Sequence, residues 1–154
     1  SQLGIASGEA QATIDAYFAR YQGVRRFLDE TIAAAGRDGF VRTFLGRRRY
    51  LPDLRSRNRT LRSAAERMAV NTVIQGTAAD LIKKAMVEVD AWLSGAKLQT
   101  RMILQVHDEL VFEAPTGELQ RVRGEVPHLM ERVLDLRVPL VAEVGVGSSW
   151  REAH

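Results

Sequence analysis

The nine residues Gln105 to Glu113, QVHDELVFE, constrain this chain more than any other stretch. Val106 on one side and Leu110, Val111 and Phe112 on the other are strand formers. Between them stand two acids, Asp108 and Glu109. A strand–acid–acid–strand pattern presents carboxylates at a tight bend in a sheet. Hard divalent cations take such oxygen ligands, so the pattern predicts part of a metal-dependent phosphoryl-transfer site. The plainer alternative is a polar hairpin turn, which Asp and Glu suit equally well.

The surroundings predict helices and one more hairpin. Ser7 is a candidate cap for a helix with Glu9 in its first turn. Ile14, Tyr17, Phe18 and Tyr21 give that helix an apolar stripe of 3.6 period, which reads as core. A second helix is expected from Val24 to Ala35, ended by Gly36. Phe40 to Phe44 and Arg48 to Leu51 read as short strands around Gly46, stopped by Pro52. Helix formers return from Leu61 to Asn71. Thr72, Val73, Ile74 and Gly76 then predict a break.

Thr77 to Asp80 resembles a capping box. The helix after it places Leu81, Ile82, Ala85, Met86, Val89 and Leu93 on one face, a core pattern. Arg101 to Val106 and Leu110 to Glu113 form the strands of the acid hairpin. A helix over Glu118 to Leu134 is kinked or restarted by Pro127. A last strand is expected over Leu140 to Val146. The sum is an α+β fold, an antiparallel sheet covered by helices.

The chain holds 154 residues, 45% hydrophobic, enough to bury a core. It has no cysteine, which excludes disulfides and thiolate metal sites. No run reaches the apolar length of a membrane span and no signal peptide opens the sequence, so a soluble intracellular protein is expected. The net charge is +3, but residues 20 to 67 hold thirteen arginines against five acids, a surplus of eight. Arginine's planar fork suits phosphate, and the clustering points to a nucleic-acid surface. A GC-rich genome, which favours arginine codons, with solvated helix faces is the competing explanation.

Three segments in order, GRRRYLPDL at 46–54, AAERMAVNTVIQGTAADLIKKAM at 64–86 and QVHDELVFEAP at 105–115, resemble the C-terminal part of the polymerase domain in the bacterial DNA polymerase I family, the family A DNA polymerases. The opening SQLGI and the closing VPLVAEVGVGSSW fit the same family, so the resemblance spans essentially the whole chain. It implies that residues 1–70 are the end of the fingers and the fingers–palm junction. Residues 71–154 would be the second half of the palm. It implies DNA-directed DNA synthesis in replication or repair, in the bacterial cytoplasm with the nucleoid. The partners would be primer–template DNA and deoxynucleoside triphosphates, with no membrane.

The resemblance also assigns roles. Asp108 is the implied ligand of catalytic Mg2+ in a two-metal site, with Glu109 tuning the site or primer end and His107 positioning the primer terminus. The alternative for His107 is a satisfied histidine at a strand end. Arg67, Asn71 and Gln75 recur every four residues, one face of a helix. The family places them at the minor groove of the primer–template end, where every base pair shows acceptors and donors read shape with little sequence preference. A solvated or capping polar face is the common alternative.

Arg47, Arg48 and Arg49 are candidates for template phosphates, with alternation turning Arg48 away from Arg47 and Arg49. An internal ion-pair network with Asp53 or Glu66 explains them equally well. Tyr17, Phe18, Tyr21, Trp92 and Trp150 are read as core, and Lys83 and Lys84 as solvent-facing.

The sequence departs from the family pattern in one decisive way. The family's first catalytic aspartate, its triphosphate-gripping fingers helix and its thumb all belong to upstream segments. The Mg2+ site is therefore only partly encoded here, and the missing upstream polymerase segments are implied partners. The isolated 154 residues are expected to be inactive. The alternative is a stand-alone, non-catalytic DNA-binding remnant, marked by duplex affinity that falls steeply with salt.

Overall fold

The computed structural model describes residues 7–153. The opening SQLGI and the closing His154 lie outside the described residues, as does the side chain of Ser7 with its expected capping role. The chain divides into two compact units, Ser1–Gly76 and Thr77–His154. The architecture is α+β, and the described residues form two separate two-stranded antiparallel sheets. No helix among them is long and apolar enough to cross a membrane.

The first unit opens with α1 (Ser7–Arg20) and α2 (Gln22–Asp38). α2 runs through Gly36, where its end was expected, and stops at Gly39. The Gly39 backbone has φ +78° and its N–H donates to the Ala35 carbonyl at 2.8 Å. A residue without Cβ takes this left-handed cap without steric cost. Arg55 completes the ending, donating from Nη2 to the Arg37 carbonyl at 2.8 Å and from Nε to the Gly36 carbonyl at 3.3 Å. Those carbonyls have no intrahelical partner, and a cation suits that end of the helix dipole.

The stripe on α1 is not core, contrary to its period. Ile14, Tyr17 and Tyr21 are each nearly half exposed. Tyr17 packs instead on neighbouring rings, Phe18 at 5.4 Å and Tyr21 at 4.9 Å. A 3.6 period reports that a helix is one-sided, not what lies against that side.

β1 (Phe40–Arg42) and β2 (Arg48–Tyr50) pair antiparallel, Phe40 opposite Tyr50, Val41 opposite Arg49 and Arg42 opposite Arg48. A 3-10 turn at Pro52–Arg55 leads to α3 (Arg59–Gly95). Asn58 caps α3, its Oδ1 accepting from the N–H groups of Thr60 at 2.9 Å and Leu61 at 3.4 Å. Ala35, Val41, Leu51, Leu54, Ala65 and Ala69 form the core of this unit. The alanines let helix backbones approach.

The break expected near Thr72 does not occur, and α3 continues through Gly76. The Thr72 hydroxyl donates to the Met68 carbonyl at 2.7 Å, so its polar group is satisfied without leaving the helix. Gly76 marks a close approach to Thr43, not a helix end.

In the second unit the later part of α3 lies with β3 (Arg101–Val106), β4 (Glu109–Glu113), a 3-10 turn at Thr116–Glu118, α4 (Leu119–Glu131) and α5 (Trp150–Ala153). Val89, Leu93, Val122 and Val126 are its buried cluster, with Trp92, Met102, Phe112 and Leu129 packed against it. A side chain as fully buried as Val89 contributes about 1.5–3 kcal/mol. Trp92 is thus half-buried beside the core, whereas Trp150 is about half exposed. Lys83 and Lys84 are both exposed as expected, and Lys84 also donates to the Val133 carbonyl and sits 3.5 Å from Glu88.

Glu118 joins two parts of this unit. Its carboxylate accepts from the N–H groups of Gln99 and Thr100, both at 2.9 Å, and from the Thr100 hydroxyl at 2.6 Å. These bonds, Gln99's first, hold the Glu118 carboxyl below the ordinary glutamate range.

α4 tolerates Pro127 within it but ends at Glu131, short of the expected Leu134. The strand expected over Leu140 to Val146 is absent: those residues are irregular. A strand needs a ladder partner, and among the described residues none lies beside this segment. The Ala142 N–H goes to Glu131 Oε1 at 3.1 Å, while Val141 and Val146 stay exposed.

Candidate active site and nucleic-acid interface

The acid hairpin forms as a two-residue connection. β3 and β4 pair from Arg101 opposite Glu113 to Val106 opposite Glu109. The turn itself is His107 and Asp108, and Glu109 is the first residue of β4, one position further into the sheet than the sequence suggested. A register shift between Met102 and Leu104 inserts a bulge, which twists such a hairpin more strongly.

His107 takes φ +54°, one of two non-glycine residues with positive φ among the described residues. Few side chains adopt this region readily, though His, Asn and Asp are enriched in it. The Gln105 side-chain amide donates to the His107 carbonyl and braces the bend. The result presents His107 and Asp108 exposed at the tip, with Glu109 half-buried beside them.

Chemically, this tip offers oxygen donors of the kind a hard cation takes. It does not close a site alone: among the described residues no group of three or more His, Cys, Asp or Glu side chains is arranged to hold a metal ion. Asp108 therefore fits as one ligand, with the other positions left to other donors.

In the first unit, Arg67, Asn71 and Gln75 lie on α3 at successive four-residue steps, and all three are exposed. Because the helix is unbroken, each step turns the side chain by about 40° and advances it about 6 Å, giving one continuous stripe. Among the described residues their side chains hold no hydrogen bond or ion pair. Their donors point to solvent.

The β1–β2 arginines split by face. Arg47 donates from Nη2 to the Gly76 carbonyl at 3.4 Å, and Arg49 from Nη1 to the Thr72 hydroxyl at 3.3 Å. Arg48 instead lies over the Phe40 ring, 4.9 Å from its centroid. Arg47 and Arg49 remain exposed while bonded to α3. Glu66, offered as an ion-pair partner for them, sits 4.0 Å from Arg62.

Thr43 and Gly76 escaped the sequence reading as positioning residues. Thr43 is buried, and its Oγ1 accepts the Arg47 N–H at 3.1 Å, holding the loop that carries the arginines. A lone glycine inside a helical run was the available signal for such a close approach.

A profile of DNA polymerase family A matches residues 1–152. The DNA polymerase I of Pseudomonas aeruginosa is 52% identical over 153 residues, 99% of this chain and 17% of that protein. The DNA polymerase I of Bacillus caldotenax is 50% identical over 151 residues, 98% of this chain and 17% of that protein. Among solved structures, the POL domain of Pol1 from M. smegmatis, in complex with DNA primer–template and dNTP, matches with a TM-score of 0.95 at 48% identity. That match covers 99% of this chain and 27% of the other. The chain thus spans 17% of the length of these curated relatives.

Proposed function

Since the chain belongs to DNA polymerase family A, we propose that it forms the C-terminal part of a DNA-directed DNA polymerase. The reaction is nucleotidyl transfer from a deoxynucleoside triphosphate to a primer 3′ hydroxyl on a DNA template, with pyrophosphate leaving. In this reading residues 1–70 are the end of the fingers and their junction with the palm, and 71–154 the second half of the palm. Identity of about half the residues along the whole chain supports it, and so does a carboxylate hairpin at the matching segment.

Family A enzymes are metal-dependent polymerases in general, and the finer assignment to Mg2+ belongs to this proposal. When bound, the ions supply charge stabilisation to the attacking and leaving oxygens. Asp108 holds its carboxylate at the exposed tip as one ligand. Glu109, in the strand, sets the charge beside it. His107 orients the primer end from a backbone conformation fixed by the turn.

Arg67, Asn71 and Gln75 present donors to the minor groove of the new base pairs, and their unpaired side chains support this role. Arg47 and Arg49, anchored on α3, meet template phosphates, which set position and not sequence. Inactivity of the 154 residues alone is part of the same proposal.

Primer extension by the full-length protein carrying Asp108→Ala or Asp108→Asn tests the assignment. Each substitution is expected to slow extension by about a thousandfold, several kcal/mol of lost transition-state stabilisation, with primer–template binding retained. Extension at the parent rate would sink the assignment of Asp108. Extension by the 154 residues alone, lost on Asp108→Ala, would sink the claim of inactivity.

A further inference from the structure

The β1–β2 hairpin has two faces with different work. Its inner face carries Val41, buried in the core, and Arg49, bonded to Thr72. Phe40, Arg42, Arg48 and Tyr50 share the other face by alternation and register. There the Phe40 and Tyr50 rings meet edge-on at 5.6 Å. The guanidinium carbons of Arg42 and Arg48 lie 5.1 and 4.9 Å from the Phe40 centroid.

This face stays open. Tyr50 is 68% exposed, and Arg42 and Arg48 are exposed as well. Among the described residues neither arginine is paired with a carboxylate. Residues 40–50 hold four arginines and three aromatics and no acid. A guanidinium stacked on a ring uses its flat face, which leaves its in-plane N–H donors directed outward. Stacking also fixes the arginine before any ligand arrives.

We propose that this outer face binds single-stranded DNA, with Tyr50 as the stacking ring for an unpaired base and Arg42 and Arg48, held on the Phe40 ring, as donors to the neighbouring backbone phosphates. An open ring beside phosphate donors suits a strand that shows both base faces and charge. A duplex hides its base faces and would use the arginines alone. The face is distinct from the minor-groove stripe on α3 and from the Asp108 hairpin.

The test is fluorescence anisotropy of the full-length protein with labelled oligo(dT), an abasic strand of equal length and a blunt duplex, without nucleotide. Tyr50→Ser is expected to weaken oligo(dT) binding by about five- to 150-fold, the range of one lost base–ring stack. Tyr50→Phe keeps the ring and should keep the affinity. Arg42→Gln with Arg48→Gln should lower the log–log salt slope by about 1.4, at roughly 0.7 per phosphate contact. Blunt-duplex binding should not follow Tyr50→Ser, and should fall only with the arginines.

Parent affinity and salt slope in both Tyr50→Ser and the double arginine variant would overturn the proposal. So would an abasic strand that binds the parent protein as tightly as oligo(dT), which would make the face a general anion surface. A fall in Tyr50→Phe equal to that in Tyr50→Ser would overturn it too, since stacking could not then be the cause. No synthesis is measured, so these outcomes are independent of the fate of the polymerase reading.

Discussion

Gly76 in the middle of α3 lies so close to Thr43 that a β-carbon at position 76 would stand 2.7 Å from Thr43 Cγ2. Thr43 has little freedom to yield. It is buried, and turning it would break the bond its Oγ1 accepts from the Arg47 N–H. The pair therefore sets how near the arginine-bearing loop comes to the helix.

Gly76→Ala is accordingly predicted to destabilise the protein despite its helical position. Helix propensity favours alanine by about 1 kcal/mol, but overpacking of this kind costs about 1–3 kcal/mol. In a Thr43→Ser background the methyl is gone and the hydroxyl remains. There the same Gly76→Ala change should turn neutral or stabilising. Denaturant unfolding of the four variants measures this coupling, and additive effects would refute the contact.

The Glu118 clamp predicts acid sensitivity. Its carboxyl sits lower in the folded chain because it accepts the Gln99 and Thr100 hydrogen bonds. An unfolded glutamate titrates near about 4.3. The stabilisation is thus fully present above that pH and is lost as pH falls through the depressed folded value. Glu118→Gln should lower the thermal midpoint at neutral pH and flatten its fall in acid. A parent-like slope between neutral pH and the acid limb in Glu118→Gln would count against the clamp.

The His107 backbone can be separated from its side chain by substitution. At φ +54° the turn should accept His107→Asn within about 0.5 kcal/mol, because asparagine visits this region easily. His107→Val should cost about 1–2 kcal/mol more than His107→Asn, since a β-branched residue clashes there. His107→Gly should melt no lower than the parent while removing the imidazole. A valine variant as stable as the asparagine one would contradict the left-handed turn.

Sequence resolved what local chemistry decides. The strands of the acid hairpin were legible because apolar runs flank two acids, and the β1–β2 hairpin because Gly46 sits in its turn and Pro52 stops it. Endings set by distant contacts were not. Gly36 and Gly39 both look like helix stops, and what distinguishes Gly39 is its left-handed bond to Ala35. Gly76 reads as a breaker until Thr43 is seen against it. Leu140 to Val146 has strand composition, but composition cannot supply the neighbouring strand that a ladder needs.

The candidate residues divide the same way. That Asp108 stands at a bend follows from its neighbours, and that Arg48 faces opposite to Arg49 follows from alternation. That Arg47 and Arg49 bond to α3 depends on tertiary packing, and no short-range pattern encodes it.

The stripe of Arg67, Asn71 and Gln75 gives a prediction that uses the nucleic acid as the second mutant. If Arg67 donates to a minor-groove acceptor, the acceptor in question is a purine N3 or pyrimidine O2, present in every base pair. Replacing purine N3 by C–H at one pair near the primer end should weaken primer–template binding by the full-length protein. Arg67→Ala should weaken it too, by about 1.5–3 kcal/mol, as expected for a charged donor. Once either partner is missing, removing the other should add little, because the bond is already lost. Equal losses from the modified base in parent and Arg67→Ala proteins, at every pair tried, would place Arg67 on phosphate instead. In that case Arg67→Ala would lower the salt slope by about one and act alike on all sequences.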